Sequence, residues 1–187
     1  MRRGAAWALA AAVAFALPVA AREAPAARAA VEVAFAPDDD IAGMLVRRIG
    51  AARQGVRMQA YLFTDRRIAN ALLAALKRGV EVEVIGDGAQ HDAGGLPFLA
   101  ALHRAGARVY LDRAHAAMHN KILIVDGEAR GATVITGSYN FTPSAQSRNA
   151  ENVVVLSGNR ALTRRFVAHF EHQRQRSTPW PASTSLP

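Results

Sequence analysis

The side chains best suited to chemistry stand at His119, Lys121 and Asp126, followed by Ser138 and Asn140 and then by Glu151. His119 and Lys121 head the apolar run Ile122-Leu123-Ile124-Val125, which Asp126-Gly127 closes. A short apolar run bounded by turn residues reads as a mostly buried strand. Alternation across a strand puts His119 and Lys121 on one face, about 7 Å apart, and turns Asp126 the other way. An imidazole beside an ammonium suits a phosphate. The ring can attack phosphorus or carry a proton near neutral pH, and the ammonium offsets charge on the non-bridging oxygens. With six His, two Lys and eight Asp in 187 residues, His-x-Lys-x4-Asp arises by accident about 0.003 times. A capped core strand with a chance histidine is therefore the weaker account. The chain has 21 Arg but only two Lys, and one of the two sits here.

The other candidates are less telling alone. Ser138 and Asn140 follow Gly137 two positions apart and so share a face, yet Gly, Ser and Asn favour turns in any case. Glu151, just before an apolar strand, is by itself an ordinary solvated carboxylate. For Asp126, turn capping and a direct chemical role carry equal weight because of its parity.

Together, His119, Lys121 and Asp126 with Gly137-Ser138-Tyr139-Asn140-Phe141-Thr142 and Asn149-Ala150-Glu151-Asn152 resemble the phospholipase D superfamily. Within it the chain is most similar to small bacterial endonucleases carrying one copy of the motif. The resemblance covers about residues 31–170 and includes Tyr61-Leu62-Phe63-Thr64. It implies a catalytic set of His119, Lys121, Asp126 and Glu151, with Ser138 and Asn140 holding the phosphate. Glu151 takes the part of the group that orients and stabilises the catalytic imidazole. One departure is the stretch between Asp126 and Ser138, longer than the usual hairpin and read as an enlarged turn over 127–131.

The elements that must position these groups follow from periodicity and punctuation. Strands are expected over 31–35, 56–63, 80–85, 107–111, 121–125, 132–136 and 152–156. Helices are expected over 37–53, 64–78, 96–104 and 159–173, opened by Pro37-Asp38-Asp39-Asp40 and Thr64-Asp65 and stopped by Gly79 and Gly106. Alternating strands and helices argue a single α/β domain over 31–173, a mixed, mostly parallel sheet with helices on both faces. The turn around Gly127 makes part of that sheet antiparallel. Residues 174–187, rich in Pro, Ser and Thr toward their end, read as a disordered tail.

At the other end, Arg2-Arg3, an alanine-rich apolar core and Pro18-Val19-Ala20-Ala21 read as a signal peptide over 1–21, with uncleaved anchoring as the alternative. A flexible lead-in over 22–30 follows. Export to a bacterial periplasm or beyond the cell is the expectation, with no stable membrane anchor. The net charge is +8, or +6 without the two arginines of residues 1–21, which favours a polyanionic partner. There is no cysteine, so thiolate zinc sites are excluded. His169 and His172 lie three apart on a helix but lack a third ligand, and His91 and His103 have no carboxylate at a telling spacing. No metal or other cofactor is expected. His115 could line the mouth of the site, Asp87 could border the cleft at a strand's end, and the pairs Arg47-Arg48, Arg66-Arg67 and Arg164-Arg165 read mainly as solvated helix faces.

In-line displacement at a phosphodiester needs a nucleophile on one side of phosphorus and an acid on the other. One histidine cannot fill both places. The family pattern with a single motif therefore implies a homodimer sharing a site at its interface, a phosphohistidine intermediate and nucleic acid as substrate. Membrane phospholipid is the alternative substrate, and a non-catalytic nucleic-acid-binding protein is a second alternative.

Overall fold

Lys121–Val125 is a strand whose five residues are all buried, and the rest of the sheet is assembled outward from it. The computed structural model describes residues 29–181. The expected leader over 1–21, and all but the last two residues of the lead-in, lie outside the described residues. In chain order the elements are β1 (Ala30–Ala36), α1 (Ile41–Ala51), β2 (Gly55–Ala60), α2 (Arg66–Lys77), β3 (Glu81–Asp87), α3 (Gly88–Asp92), α4 (Leu99–Arg104), β4 (Arg108–Asp112), β5 (Lys121–Val125), β6 (Thr133–Gly137), α5 (Pro143–Ser147), β7 (Glu151–Ser157), α6 (Arg160–Arg176) and β8 (Thr178–Trp180). The longer helices open where the sequence supplies an acceptor. Asp40, Asp65 and Asn159 each take a backbone N–H of the first turn.

The eight strands form one sheet in the order β1-β7-β6-β5-β2-β3-β4-β8. The domain is α/β with a mixed sheet, as expected, but the sheet is not mostly parallel. Only β2 with β3 and β3 with β4 run parallel, and the other neighbours among the described residues are antiparallel. The reason is local. Among strands that are both consecutive and adjacent in the sheet, only β2 with β3 and β3 with β4 are joined by helical crossovers, whereas β5 and β6 form a hairpin and β6 is joined to β7 through the short α5.

Period-two alternation distributes the strands over two cores. Leu123 and Val125 pack with α1, α2 and α4, while Ile122 and Ile124 pack under α6 with Val134 and Phe170. Complete burial of a side chain such as Phe170 contributes about 1.5–3 kcal/mol. Among the described residues, no helix is long and apolar enough to cross a membrane.

The expected disordered tail is corrected over residues 174–181. α6 continues to Arg176, and β8 adds to the sheet antiparallel to β4, with Trp180 opposite Val109. The Trp180 ring lies between His91 and His103, at centroid distances of 5.1 and 6.1 Å, which anchors a segment whose composition suggested none. Pro179 is tolerated because β8 is an edge strand. The short helices α3 and α5 also escaped the sequence reading, each being too brief to show a period.

Candidate active site

At one end of the sheet, the carboxyl ends of β1, β2, β3, β4 and β6 meet the amino ends of β5 and β7. His119, Lys121, Ser138, Asn140 and Glu151 all lie at this end. His119 precedes β5 and is exposed, while Lys121, the first residue of β5, is 7% exposed. The β2–β5 register pairs Ala60 with Lys121, so Tyr61 arrives beside Asn120 and donates its backbone N–H to the Asn120 carbonyl at 3.2 Å. Its ring then supports both groups of the motif. The His119 ring is 4.4 Å from it, tilted by 58°, and Lys121 Nζ lies 4.9 Å from its centroid. Lys121 Nζ also donates to the His119 carbonyl at 2.8 Å. Tyr61 OH accepts from Gln90 at 2.9 Å, which fixes the ring in turn.

Burial pushes the Lys121 ammonium below the ordinary lysine range, and the negative charge of Glu151 counteracts the shift. Glu151 accepts from Asn149 Nδ2 at 2.9 Å. Among the described residues, no hydrogen bond links Glu151 to His119; its electrostatic influence falls on Lys121. Ser138 exchanges bonds with the opposite strand, donating its N–H to the Asn152 carbonyl at 3.1 Å and accepting the Asn152 N–H on Oγ at 3.0 Å. Gly137 permits this approach, since a Cβ there would collide with the Asn152 carbonyl. Asn140 Oδ1 is buried without a hydrogen-bond partner.

Asp126 does not join the others. It follows β5 at the far end, five residues from Lys121, or about 17 Å at the usual rise. Its carboxylate accepts the backbone N–H groups of Arg53, Gln54 and Gly55 at 2.7 to 3.1 Å, from a backbone with φ of 51°. It thus stands apart from the side chains gathered at the other end of the sheet. It ties the α1–β2 connection to the β5–β6 turn.

Two aspartates that the sequence reading undervalued do serve the site. Asp87 and Asp112 pair in register at the ends of β3 and β4 and are buried. Asp87 accepts from Met118 N at 2.7 Å, and Asp112 from Ala114 N and His115 N at 3.0 and 3.1 Å. They therefore hold both ends of the loop that delivers His119. Burial opposes the charge on Asp112, but hydrogen bonds from Gln173, His115 and Ala114 outweigh it and keep the carboxyl below its usual range. The signal for both was an acidic residue at the carboxyl end of a strand; Tyr61 belongs to the Tyr61-Leu62-Phe63-Thr64 stretch of the resemblance, but its place beside His119 and Lys121 comes from long-range β2–β5 pairing. Among the described residues, no group of three His, Asp or Glu side chains is placed to hold a metal ion.

Residues 45–174 match the family model of the cardiolipin synthase, PLD-like domain. A phospholipase D of Rickettsia bellii is 36% identical over 129 residues, which span 69% of this chain and 62% of that protein. A mitochondrial cardiolipin hydrolase of Xenopus tropicalis is 31% identical over 128 residues, 68% of this chain and 58% of that one. In structure, Nuc from Salmonella typhimurium, a phospholipase D family member, superposes with a TM-score of 0.74 at 31% identity, covering 82% of this chain and 99% of that one. NucT from Helicobacter pylori shares the fold, with a TM-score of 0.73 at 20% identity and 82% and 100% coverage. With a family match that runs from within α1 to most of α6, and the histidine, lysine and glutamate of its motif gathered at one sheet end, this chain belongs to the phospholipase D superfamily.

Proposed function

We propose that the chain is a phosphodiester hydrolase acting on nucleic acid as a non-specific endonuclease, through a phosphohistidine formed in a homodimer. The observation that supports this reading is the His119–Lys121 pair held against the Tyr61 ring at one end of the sheet. One His119 directs a ring-nitrogen lone pair at phosphorus while the bond to the leaving oxygen breaks. The partner's His119 gives that oxygen its proton. It then takes a proton from water, whose oxygen attacks phosphorus and expels the first imidazole. Lys121 opposes the charge that gathers on the non-bridging oxygens. Turning the Asn140 amide over would exchange its unpartnered acceptor for two donors, the groups a phosphate oxygen requires.

The dimer has a face consistent with it. Val31, Val33 and Phe35 of the edge strand β1 are 68%, 59% and 57% exposed, and Phe35 lies opposite Asn152, which bonds Ser138. An apolar strip reaching the site's border is what a second copy would cover. The basic balance of the chain fits a polyanion. Export, as read from residues 1–21, remains part of the proposal.

Phospholipid is the second reading. It is favoured by the names of the relatives above and by an apolar cleft of about 470 Å³ lined by Ile122, Leu162 and Phe166 with Arg165 and His169. Purified protein is expected to cleave plasmid DNA and single-stranded oligonucleotide in EDTA, with a solution mass twice that of the chain. Strict dependence on added Mg²⁺ or a monomer of full activity overturns the mechanism, and turnover of phosphatidylcholine or cardiolipin vesicles alone overturns the substrate.

A pH test isolates Lys121. Its charge is needed, so activity is present below its lowered pKa and is lost as pH rises through it. Glu151→Gln removes the charge that holds this pKa up. The alkaline limb of kcat/KM is therefore expected to move to lower pH in the variant; an unmoved limb means another group titrates there.

A further inference from the structure

Beside His119 a groove of about 370 Å³ runs beneath the carboxyl-terminal half of α6, lined by His115, His119, Asn120, His169, His172 and Arg176 among others. Its volume lies in the range of ligand clefts. No carboxylate lines it. Asp112 is buried, and its carboxylate is engaged by His115 Nδ1 at 3.0 Å and Gln173 Nε2 at 2.9 Å. His169, His172 and Arg176 stand at i, i+3 and i+7, one face of the helix, and extend about 10 Å along its axis. That length exceeds one phosphate.

These three side chains are exposed and do nothing for the core. Arg174, two residues from Arg176, shows the ordinary fate of a basic residue on this helix, paired with Glu171 and Glu83. Arg176 has no carboxylate partner among the described residues and instead lies 3.5 Å from His172 Nε2. The wall itself is fixed. Buried Gln173 bonds Gln59, Asp112 and Asn120, and Asn120 Nδ2 also reaches His169 at 3.4 Å. A braced groove lined by imidazole, amide and guanidinium groups, with no carboxylate and leading away from His119, suits a second anion linked to the one being attacked.

We propose that this groove is a second phosphate subsite, where His169, His172 and Arg176 hold the phosphate next to the scissile one in a single nucleic-acid strand. The inference rests on the nuclease reading and deepens it, because a diester with a lone phosphate cannot fill both places.

Kinetics on a short single-stranded oligonucleotide and on bis(p-nitrophenyl) phosphate, which carries one phosphate, test it in the full-length protein. In His172→Ala/Arg176→Ala, the ratio of kcat/KM for the oligonucleotide to that for the small diester is expected to fall at least about tenfold. The salt dependence on the oligonucleotide is expected to flatten by about 0.7 in log–log slope for each phosphate no longer neutralised. Arg176→Lys, which keeps the charge, is expected to retain most of the ratio. His169→Gln gives an independent variant should the double one fold poorly by circular dichroism. A ratio within twofold of wild type with an unchanged salt slope overturns the subsite alone. Wild-type turnover of the small diester with none of the oligonucleotide overturns the nucleic-acid reading and the subsite with it. A loss confined to cardiolipin vesicles, whose lipid has two phosphates, reassigns the groove to that headgroup and likewise overturns the proposal.

Discussion

His119→Ala is expected to lower turnover on any phosphodiester by on the order of 10⁴-fold or more, since under the proposed mechanism the variant loses both the attacking group and its copy across the proposed dimer. The fold should survive. The side chain is exposed and its main partner is the Tyr61 ring, so the cost in stability is that of one aromatic contact, about 0.5–1.5 kcal/mol. Thermal unfolding and single-turnover kinetics on one preparation separate the two effects. The separation matters because loss of activity in a protein that has also unfolded would say nothing of chemistry. Residual turnover within tenfold of wild type in a well-folded variant would mean that another group attacks phosphorus. A labelled phosphoenzyme trapped by acid quench from wild type, and absent from the variant, would locate the covalent step.

Asp126→Ala is expected to behave in the opposite way, with a large loss of stability and little loss of intrinsic turnover. Three backbone N–H groups converge on its carboxylate, and its own N–H donates to the Gly55 carbonyl at 2.8 Å. Removing a charged acceptor with several donors costs about 2–4 kcal/mol. Asn keeps one acceptor oxygen and tolerates the positive φ, so Asp126→Asn should lose less than Ala. Urea denaturation gives the stability, and kcat measured at low temperature reports the molecules still folded. A fall in kcat of about a hundredfold with normal stability would restore Asp126 to the chemistry.

The contrast between these two variants also marks what could be read from the sequence. Strand β5 was legible to the residue, because its apolar run is closed by Lys121 at one end and Asp126-Gly127 at the other. Its parity already separated Asp126 from His119, although the motif grouped them. The helix starts at Asp65 and Asn159 were also legible, since each cap acts within its own turn, whereas α1 was expected from Pro37 and opens only after Asp40. What stayed hidden depends on distant partners. Tyr61 becomes part of the site through the β2–β5 register, β8 exists because Trp180 finds His91 and His103, and Gln173 reaches Asp112 across 61 residues. The direction of β5 beside β2 was hidden for the same reason, and with it the antiparallel half of the sheet.

The pairing of β1 with β7 joins the first described strand to one 127 positions later, with Ala30 opposite Ser157. During synthesis, β1 leaves the ribosome early and has no neighbour in its own sheet until nearly the whole domain has followed. Closing so long a loop is slow compared with forming the β5–β6 hairpin. The middle of the polypeptide can therefore organise first, and the amino-terminal edge is sewn on last, together with the strand that begins at Glu151.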